Sequence, residues 1–403
     1  MNDKDGYSAM DQQNVSFTVP KDDFASALAW VARSLPSKPT QPILRGVMIV
    51  ANDEGLELSG FDREVSTRVH INAEVDEPGS ILVAGKLLSD IVGSLPNKPI
   101  TMRLEETTVT LSSGSSRFEL RPMTIEDYPV LPALPETTGT IDPHLFSQAI
   151  NQVATAAGRD DTLPMLTGIH VEIDGPNVVM AATDRFRLAV RNFTWNPSAD
   201  SAQATLLVPA RTLHDAARSL DPHNNQDISI AVGSGENIGK DGLLGIEMDE
   251  RHMTTRLLDA EFPKFRPLLP NHHSALASVE IAPLNDAIRR VSLVADRNAQ
   301  IQMEFAPGSL TLSAGGSEVG KATEQLDCAF TGEPLTIAFN PGYLKDGLAA
   351  IDSQRVVFGF TMPSRPAILI PEPQELPEAD ADGNYPTPDT EFIYLLMPVR
   401  LPG

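Results

Sequence analysis

From Asp22 to Asp62 the apolar positions first follow a helical period and then alternate, and the chain writes this pattern more than once. Phe24, Ala27, Leu28, Val31 and Leu35 stand at i, i+3, i+4, i+7 and i+11, one face of an amphipathic helix. The same places 122 positions on, counting from Phe24 to Phe146, hold Phe146, Ala149, Ile150, Val153 and Ala157. Asp142 is the expected N-cap there, with Pro143 at the first helical position. The offset then runs without a gap: Pro42-Ile43-Leu44 falls on Pro164-Met165-Leu166, Gly46-Val47 on Gly168-Ile169, and Asp62-Arg63 on Asp184-Arg185. A looser third copy, 260 positions from the first (Phe24 to Leu284), has Leu284, Ala287, Ile288, Val291 and Ala295 but lacks the Pro-x-Leu element. Three related units are implied.

Alternation predicts the strands of the first unit at 47–50, 56–58, 66–71 and 81–83, a second helix at 86–94, then strands at 100–104, 109–111 and 117–121. The second unit repeats this order, with strands at 169–173, 178–182, 186–191 and 206–208, a helix at 211–219 and a hairpin of 228–232 with 243–248. The third has strands at 301–305, 310–313, 321–329 and 335–339, a helix at 343–351, and strands at 356–360, 367–370 and 392–397. Asp127-Tyr128-Pro129 and Glu261-Phe262-Pro263 close the first two units alike, and the Pro-rich connector 124–140 marks a boundary. The acidic, Pro-rich segment 372–390 is expected to be a mobile loop. The boundaries are therefore 1–14 as a disordered terminus, then units at 15–134, 135–270 and 271–403. Each is an α+β module of two helices on antiparallel strands. Modules of about 130 residues have centres roughly 30 Å apart. Six of them, from two chains head to tail, would enclose a hole roughly 30 Å wide, enough for a nucleic-acid duplex of about 20 Å.

Composition narrows the classes. The 403 residues are 41% hydrophobic, enough for several cores, and no apolar run reaches the roughly 18 residues of a membrane span. A polar Met1–Asn14 stretch without a signal-peptide core and the single Cys328 point to a reducing cytoplasm, with Cys328 a small buried side chain. The net charge of −23, from 54 acidic against 31 basic residues, argues against a phosphate-rich partner unless the basic residues are gathered. The helical segments carry Arg33, Lys38, Lys86, Arg159, Arg211, Arg218, Arg289, Arg290, Arg297 and Lys345 among several acids, a mild bias that ordinary solvated faces also explain.

Catalytic patterns are absent. Gly233, Gly235 and Gly239 before Lys240-Asp241 have the wrong spacing for a phosphate loop and read as a hairpin turn. His272-His273 lacks metal-ligand partners. Asp160, Asp161 and Asp184 could imitate an acid–base pair, yet Asp184 matches Asp62 at the repeat offset, which favours a turn or capping role. The segment 392–401 is a hydrophobic, Met-bearing stretch at the end of the last strand; a docked terminal strand accounts for part of it, and Met397 suits an adaptable binding surface.

The triplicated units, the Pro-Ile-Leu and Pro-Met-Leu elements, the run Ala182-Thr183-Asp184-Arg185-Phe186-Arg187-Leu188-Ala189 and the ending Met397-Pro398-Val399-Arg400-Leu401 resemble the bacterial sliding clamps, the beta subunits of DNA polymerase III holoenzyme. The resemblance runs from about Val15 to Leu401. It implies a non-catalytic, cytoplasmic protein without cofactor or metal, three DNA-clamp domains to a chain, and a head-to-tail homodimeric ring around double-stranded DNA. It further implies a groove for short peptides of the polymerase alpha subunit, the clamp loader, other polymerases, mismatch-repair proteins and ligase. The matching positions of that groove are Met165, Leu166, Thr183, Arg185, Phe186, Leu188 and Pro263. Pro267, Leu268, Tyr343, Leu395, Met397, Pro398, Val399 and Arg400 complete it. Arg185-Phe186 stands where the family often has Gly-His, and Pro267 where it has Arg. Phe118 and Leu120 of one chain would meet Leu293 and Val294 of the other. Lys38 and Arg159 would face DNA, with Arg33, Arg211, Arg218 and Arg289. A carboxylate-based hydrolase and a monomeric repeat scaffold are the alternatives: mutation of Asp160, Asp161 and Asp184 would test the first, and light scattering the second.

Overall fold

The computed structural model of the chain describes residues 14–220, 225–233, 239–294, 300–316 and 320–400. The expected disordered terminus, Gly235, Ala295, Arg297 and Leu401 lie outside them, apart from Asn14. Seven helices are described: α1 (Lys21–Ala32), α2 (Gly85–Ser94), α3 (Pro143–Ala154), the single turn α4 (Pro164–Thr167), α5 (Ala210–Arg218), α6 (Ile281–Val291) and α7 (Pro341–Ala350). The starts of α1, α3 and α6 keep the two repeat offsets read from the apolar pattern. Their inward faces are Phe24, Ala27, Leu28 and Val31; Phe146, Ala149, Ile150 and Val153; and Leu284, Ala287, Ile288 and Val291, all buried. Each such Phe, Leu, Ile or Val contributes about 1.5–3 kcal/mol by leaving water. The fifth place in the pattern, Leu35 or Ala157, falls beyond the helix end, in a turn where Leu35 N donates to the carbonyl of Ala32 and Ala157 N to that of Ala154.

All strand pairing is antiparallel, so the chain is α+β. By its contacts it divides into two compact units: Met1–Pro143 with Asn196–Ala202 and Ser219–Leu257, and His144–Trp195 with Gln203–Arg218 and Leu258–Gly403. The first unit holds a five-stranded sheet, with Val15–Val19 inside it and Ser116–Leu120 at one end, and a nine-stranded sheet. In the nine-stranded sheet Val65–Ile71 pairs with Arg251–Arg256, joining strands that the sequence assigns to successive repeats. The second unit is a twelve-stranded sheet with a small two-stranded one. There Arg187–Thr194 pairs with Phe392–Leu396 in the same manner. An unpaired strand edge leaves backbone donors and acceptors without partners, so strands of neighbouring repeats pair and a compact unit is larger than a repeat.

The connectors close over the sheets by burying aromatic residues. Tyr128 and Leu131 pack with Met48, Phe61 and Leu82 in the first unit, and Phe262 and Phe265 pack with Leu188, Leu207 and Leu395 in the second. His170 stacks on Phe262 with ring centroids 4.8 Å apart.

The segment 372–390 is not a mobile loop. Tyr385–Pro386 forms a ladder with His272–His273, Asp380 Oδ1 accepts from the amides of Asp382 and Asn384, and Leu376 and Tyr385 pack against the same apolar cluster. Thr387 Oγ1 donates to the carbonyl of Pro270 at 2.6 Å, so it accepts from His273 Nε2 at 2.8 Å. This fixes the tautomer: Nδ1 of the buried ring is the bare nitrogen, without a partner and facing Gly359. Burial and the neighbouring His272 lower the His273 pKa to about 4. His272-His273 therefore anchors a strap. Cys328 is buried as expected, and burial pushes its thiol up to about 11.

The strands on either side of the Gly-rich segment pair as a hairpin, with Ser229 opposite Glu247 and Gly239 N donating to the carbonyl of Val232. No described helix is long and apolar enough to cross a membrane, and no cluster of metal-ligating side chains occurs among the described residues.

Candidate functional site

The second unit contains a cavity of about 640 Å³, lined in part by Gly158, Arg159, Leu166, Arg185, Phe186 and Tyr343. Its mouth is set by a turn. Asp184 Oδ1 accepts from the amides of Phe186 (3.0 Å) and Arg187 (3.1 Å), and Thr183 Oγ1 donates to the carbonyl of Arg187 at 2.7 Å. Arg185 takes the left-handed backbone with φ 79°, uncommon for a residue with a side chain. The turn points Phe186 outward, 55% exposed, where its ring stacks on Tyr343 at 6.0 Å. The side chain of Asn340 caps α7 by accepting from the amides of Gly342 and Tyr343, which fixes Tyr343 at the rim.

Arg187 lies beneath the rim, buried. Its Nε donates to Asp184 Oδ2 at 2.9 Å and its Nη1 to Asp346 Oδ2 at 2.6 Å, and its guanidinium lies 4.4 Å from the Tyr343 ring centre. Burial opposes its charge, but a hydrogen bond to the Tyr394 oxygen and the carboxylates of Asp346 and Asp184 outweigh it and hold its pKa above the usual arginine range. Burial likewise raises the Tyr394 phenol, which stays neutral and donates to the carbonyl of Tyr343 at 2.8 Å. The floor of the cavity is thus a closed polar network under an aromatic rim, and Arg187, Asp346 and Tyr394 were not singled out from sequence. The Asp184-x-x-Arg187 pairing was the available signal.

The other expected groove residues fall into four groups. Leu188 and Leu395 face each other in the strand ladder, buried in the apolar cluster of Phe262 and Phe265. Pro263, Pro267 and Leu268 lie exposed on the connector, Leu268 at 54%. Met397, Pro398, Val399 and Arg400 follow the last strand with Met397 40% exposed. They are tied down by Met397 N donating to the carbonyl of Phe186 at 2.9 Å and Val399 N to that of Ala338 at 2.8 Å. Met165 is half-buried beside Leu166 in α4. Across the turn, Arg266 grips Glu172 with both guanidinium ends while His170 Nε2 lies 2.9 Å from the same carboxylate. Arg266, with His170, holds the Glu172 pKa at about 2 despite partial burial.

The carboxylates weighed for acid–base work are engaged otherwise. Asp160 Oδ1 accepts from the amide and hydroxyl of Thr162, bonds that lower its pKa, and Asp184 serves the turn and Arg187. Of the residues expected to face DNA, Arg33 and Lys38 are exposed in the first unit, and Arg159, Arg211, Arg218 and Arg289 in the second. Arg159 also lines the cavity. Arg211 is 3.9 Å from Asp215 and Arg289 is 3.4 Å from Asp286. Phe118 and Leu120 are half-exposed on the end strand of their sheet, and Leu293 is 80% exposed beside Val294.

Residues 15–132, 140–264 and 266–379 match the N-terminal, central and C-terminal domains of the DNA polymerase III beta subunit. A beta sliding clamp of Streptomyces coelicolor is 45% identical over 96% of this chain and 99% of its own length. The crystal structure of the DNA polymerase sliding clamp from Bacillus subtilis superposes with a TM-score of 0.86 at 25% identity, covering 96% of this chain and all of that one. A Pseudomonas aeruginosa sliding clamp bound to griselimycin gives 0.84 at 26% identity with the same coverage. With three family domains in tandem and a clamp relative along nearly its whole length, the chain belongs to the DNA polymerase III beta subunit family, the beta sliding clamps, non-catalytic processivity subunits of that polymerase.

Proposed function

We propose that two copies of this chain close head to tail into a ring around duplex DNA in the cytoplasm, each contributing clamp domains at 15–134, 135–270 and 271–403. Exposed Lys38, Arg33, Arg159, Arg211, Arg218 and Arg289 would face the phosphates, and enclosure, not affinity, would keep the acidic protein on its track. The polymerase alpha subunit, clamp loader, other polymerases, mismatch-repair proteins and ligase would dock short peptides into the second-unit groove. The observation that carries this reading is the cavity itself: aromatic and apolar at the rim, polar and preorganised beneath, with Phe186, Leu268, Met397 and Val399 left exposed.

Two open strand edges support closure. Among the described residues Ser116–Leu120 has a neighbour on one side only, and in Gly320–Thr331 the residues 320–328 pair only with Gly308–Gly316. Edges of this kind, beside Phe118 and Leu120 on one unit and Leu293 and Val294 on the other, suit a heterologous contact that closes by two-fold symmetry. Light scattering should give about 87 kDa, twice the 43.5 kDa chain, and a 43.5 kDa particle would refute the ring. Removing 397–403 should weaken a fluorescent clamp-binding peptide at least tenfold, about 1.4 kcal/mol, in a polarisation titration; unchanged affinity would remove the groove assignment.

A further inference from the structure

The scaffold that shapes the groove occurs a second time, in the first unit, with its side chains exchanged. Asp62 Oδ1 accepts from the amides of Glu64 (2.9 Å) and Val65 (2.6 Å), as Asp184 does one repeat later, and Arg63 has φ 82° where Arg185 has 79°. The turn Pro42–Arg45 stands where α4 stands. Arg256 N donates to the carbonyl of Glu64 at 2.9 Å, the bond that Met397 N makes to Phe186.

Most of the exchanges add positive charge, although Arg159 falls on Ser37 and Phe186 on Glu64. At the repeat offset Asp160, Leu163 and Thr167 become Lys38, Gln41 and Arg45, and Met397 has Arg256 as its counterpart; all four are exposed. Arg63 Nη2 donates to Gln41 Oε1 at 2.6 Å, and Arg256 Nε to the carbonyl of Arg63 at 3.2 Å. Glu64, the counterpart of Phe186, is the exposed carboxylate in this set, 3.9 Å from Arg256. Asp62 is occupied by backbone amides. The set thus carries four exposed cations, Lys38, Arg45, Arg63 and Arg256, against the one exposed carboxylate of Glu64, itself 3.9 Å from Arg256, in a chain of net charge −23.

We propose that this first-unit counterpart of the groove, built on Lys38, Arg45, Arg63 and Arg256, holds phosphates of the duplex backbone. Guanidinium forks match phosphate oxygens in pairs. An acidic peptide fits the patch less well, because Leu44 is buried and Ile43 packs into the cluster of Met48 and Phe61, which leaves no apolar anchor. The chain therefore carries one scaffold with two chemistries, apolar capture of peptides in one copy and salt-sensitive contact with nucleic acid in the other.

This inference rests on the DNA-encircling reading, and its test separates the two. Binding of the full-length dimer to a short fluorescein-labelled duplex is followed by anisotropy across a salt series. Arg63→Gln with Arg256→Gln should make the slope of log K against log salt shallower by about 0.9 per lost contact, about 2 in all, with peptide affinity at the second-unit cavity unchanged. Arg63→Lys with Arg256→Lys, which makes the same backbone demands, should keep the wild-type slope. An unchanged slope in the folded glutamine pair overturns the proposal. So does a polyglutamate peptide that binds the wild type, but not the glutamine pair, while the slope stays the same; the patch is then a docking site for acidic protein. If the wild-type dimer shows no salt-dependent duplex binding, this proposal is overturned, while the encircling reading, which rests on enclosure, stands or falls with the mass of about 87 kDa.

Discussion

Replacing Arg187 with methionine keeps the length of the side chain and removes the charge that braces the floor of the groove. Asp184, largely shielded from water, loses its bond at 2.9 Å but keeps two backbone donors, and Asp346, about half exposed, rehydrates. Breaking a buried ion pair costs about 3–5 kcal/mol, and these compensations bring the loss down to about 2–3 kcal/mol. The guanidinium under the Tyr343 ring adds about 1 kcal/mol. For a unit of roughly 200 residues, about 3 kcal/mol lowers the thermal midpoint by roughly 6–12 °C. Because Tyr343 forms part of the rim, peptide affinity should fall about fivefold as well, near 1 kcal/mol. Asp346→Asn, whose partner still has Asp184, should cost about half as much or less. Differential scanning calorimetry and a polarisation titration measure both quantities. A midpoint within about 2 °C of wild type, with unchanged peptide affinity, would show that Arg187 is a bystander.

Three further outcomes follow from the same geometry. The folded pKa of His273, about 4, lies below its ordinary 6.5, so between those values the unfolded chain binds a proton that the folded one refuses. Stability should therefore fall as pH is lowered through that window, by up to about 1.4 kcal/mol per pH unit, and urea titrations of His273→Asn should show a flatter profile there. Glu172 runs the same way at lower pH: held at about 2 by Arg266, its contribution is complete above about 4.5 and is lost as pH falls towards 2. Glu172→Gln should remove that part of the acid dependence, at a cost of about 1–2 kcal/mol by calorimetry at neutral pH. A Cβ on Gly347 would lie 2.4 Å from Tyr394 Cε1, so Gly347→Ala should destabilise the second unit by about 1–3 kcal/mol in urea unfolding, despite the better helix propensity of alanine.

What was legible in the sequence was whatever side chains write periodically. The buried faces of α1, α3 and α6 follow a 3.6-residue period, and the equivalence of Asp62 and Asp184 holds down to the same two backbone acceptor bonds. Strands whose side chains carry little pattern were missed: Thr137–Ile141 has one large apolar residue in five, although Val15–Val19, with buried Val15, Phe17 and Val19, could have been read. Pairing between repeats was hidden because the bonds that join Val65–Ile71 to Arg251–Arg256 belong to the backbone, which is the same for every residue. The strap at 372–390 was misjudged for a related reason: composition reports its acids and prolines, while its position depends on a short ladder, two half-buried apolar side chains and one Thr–His bond. The groove shows the same division. Its apolar positions were visible because they repeat a family pattern, whereas the brace beneath them depends on Arg187 reaching Asp346, 159 residues away in the chain, a meeting that only the fold arranges. An apolar rim can therefore be proposed from sequence, but the rigidity that would turn it into a binding site comes from buried charge that sequence pattern does not show.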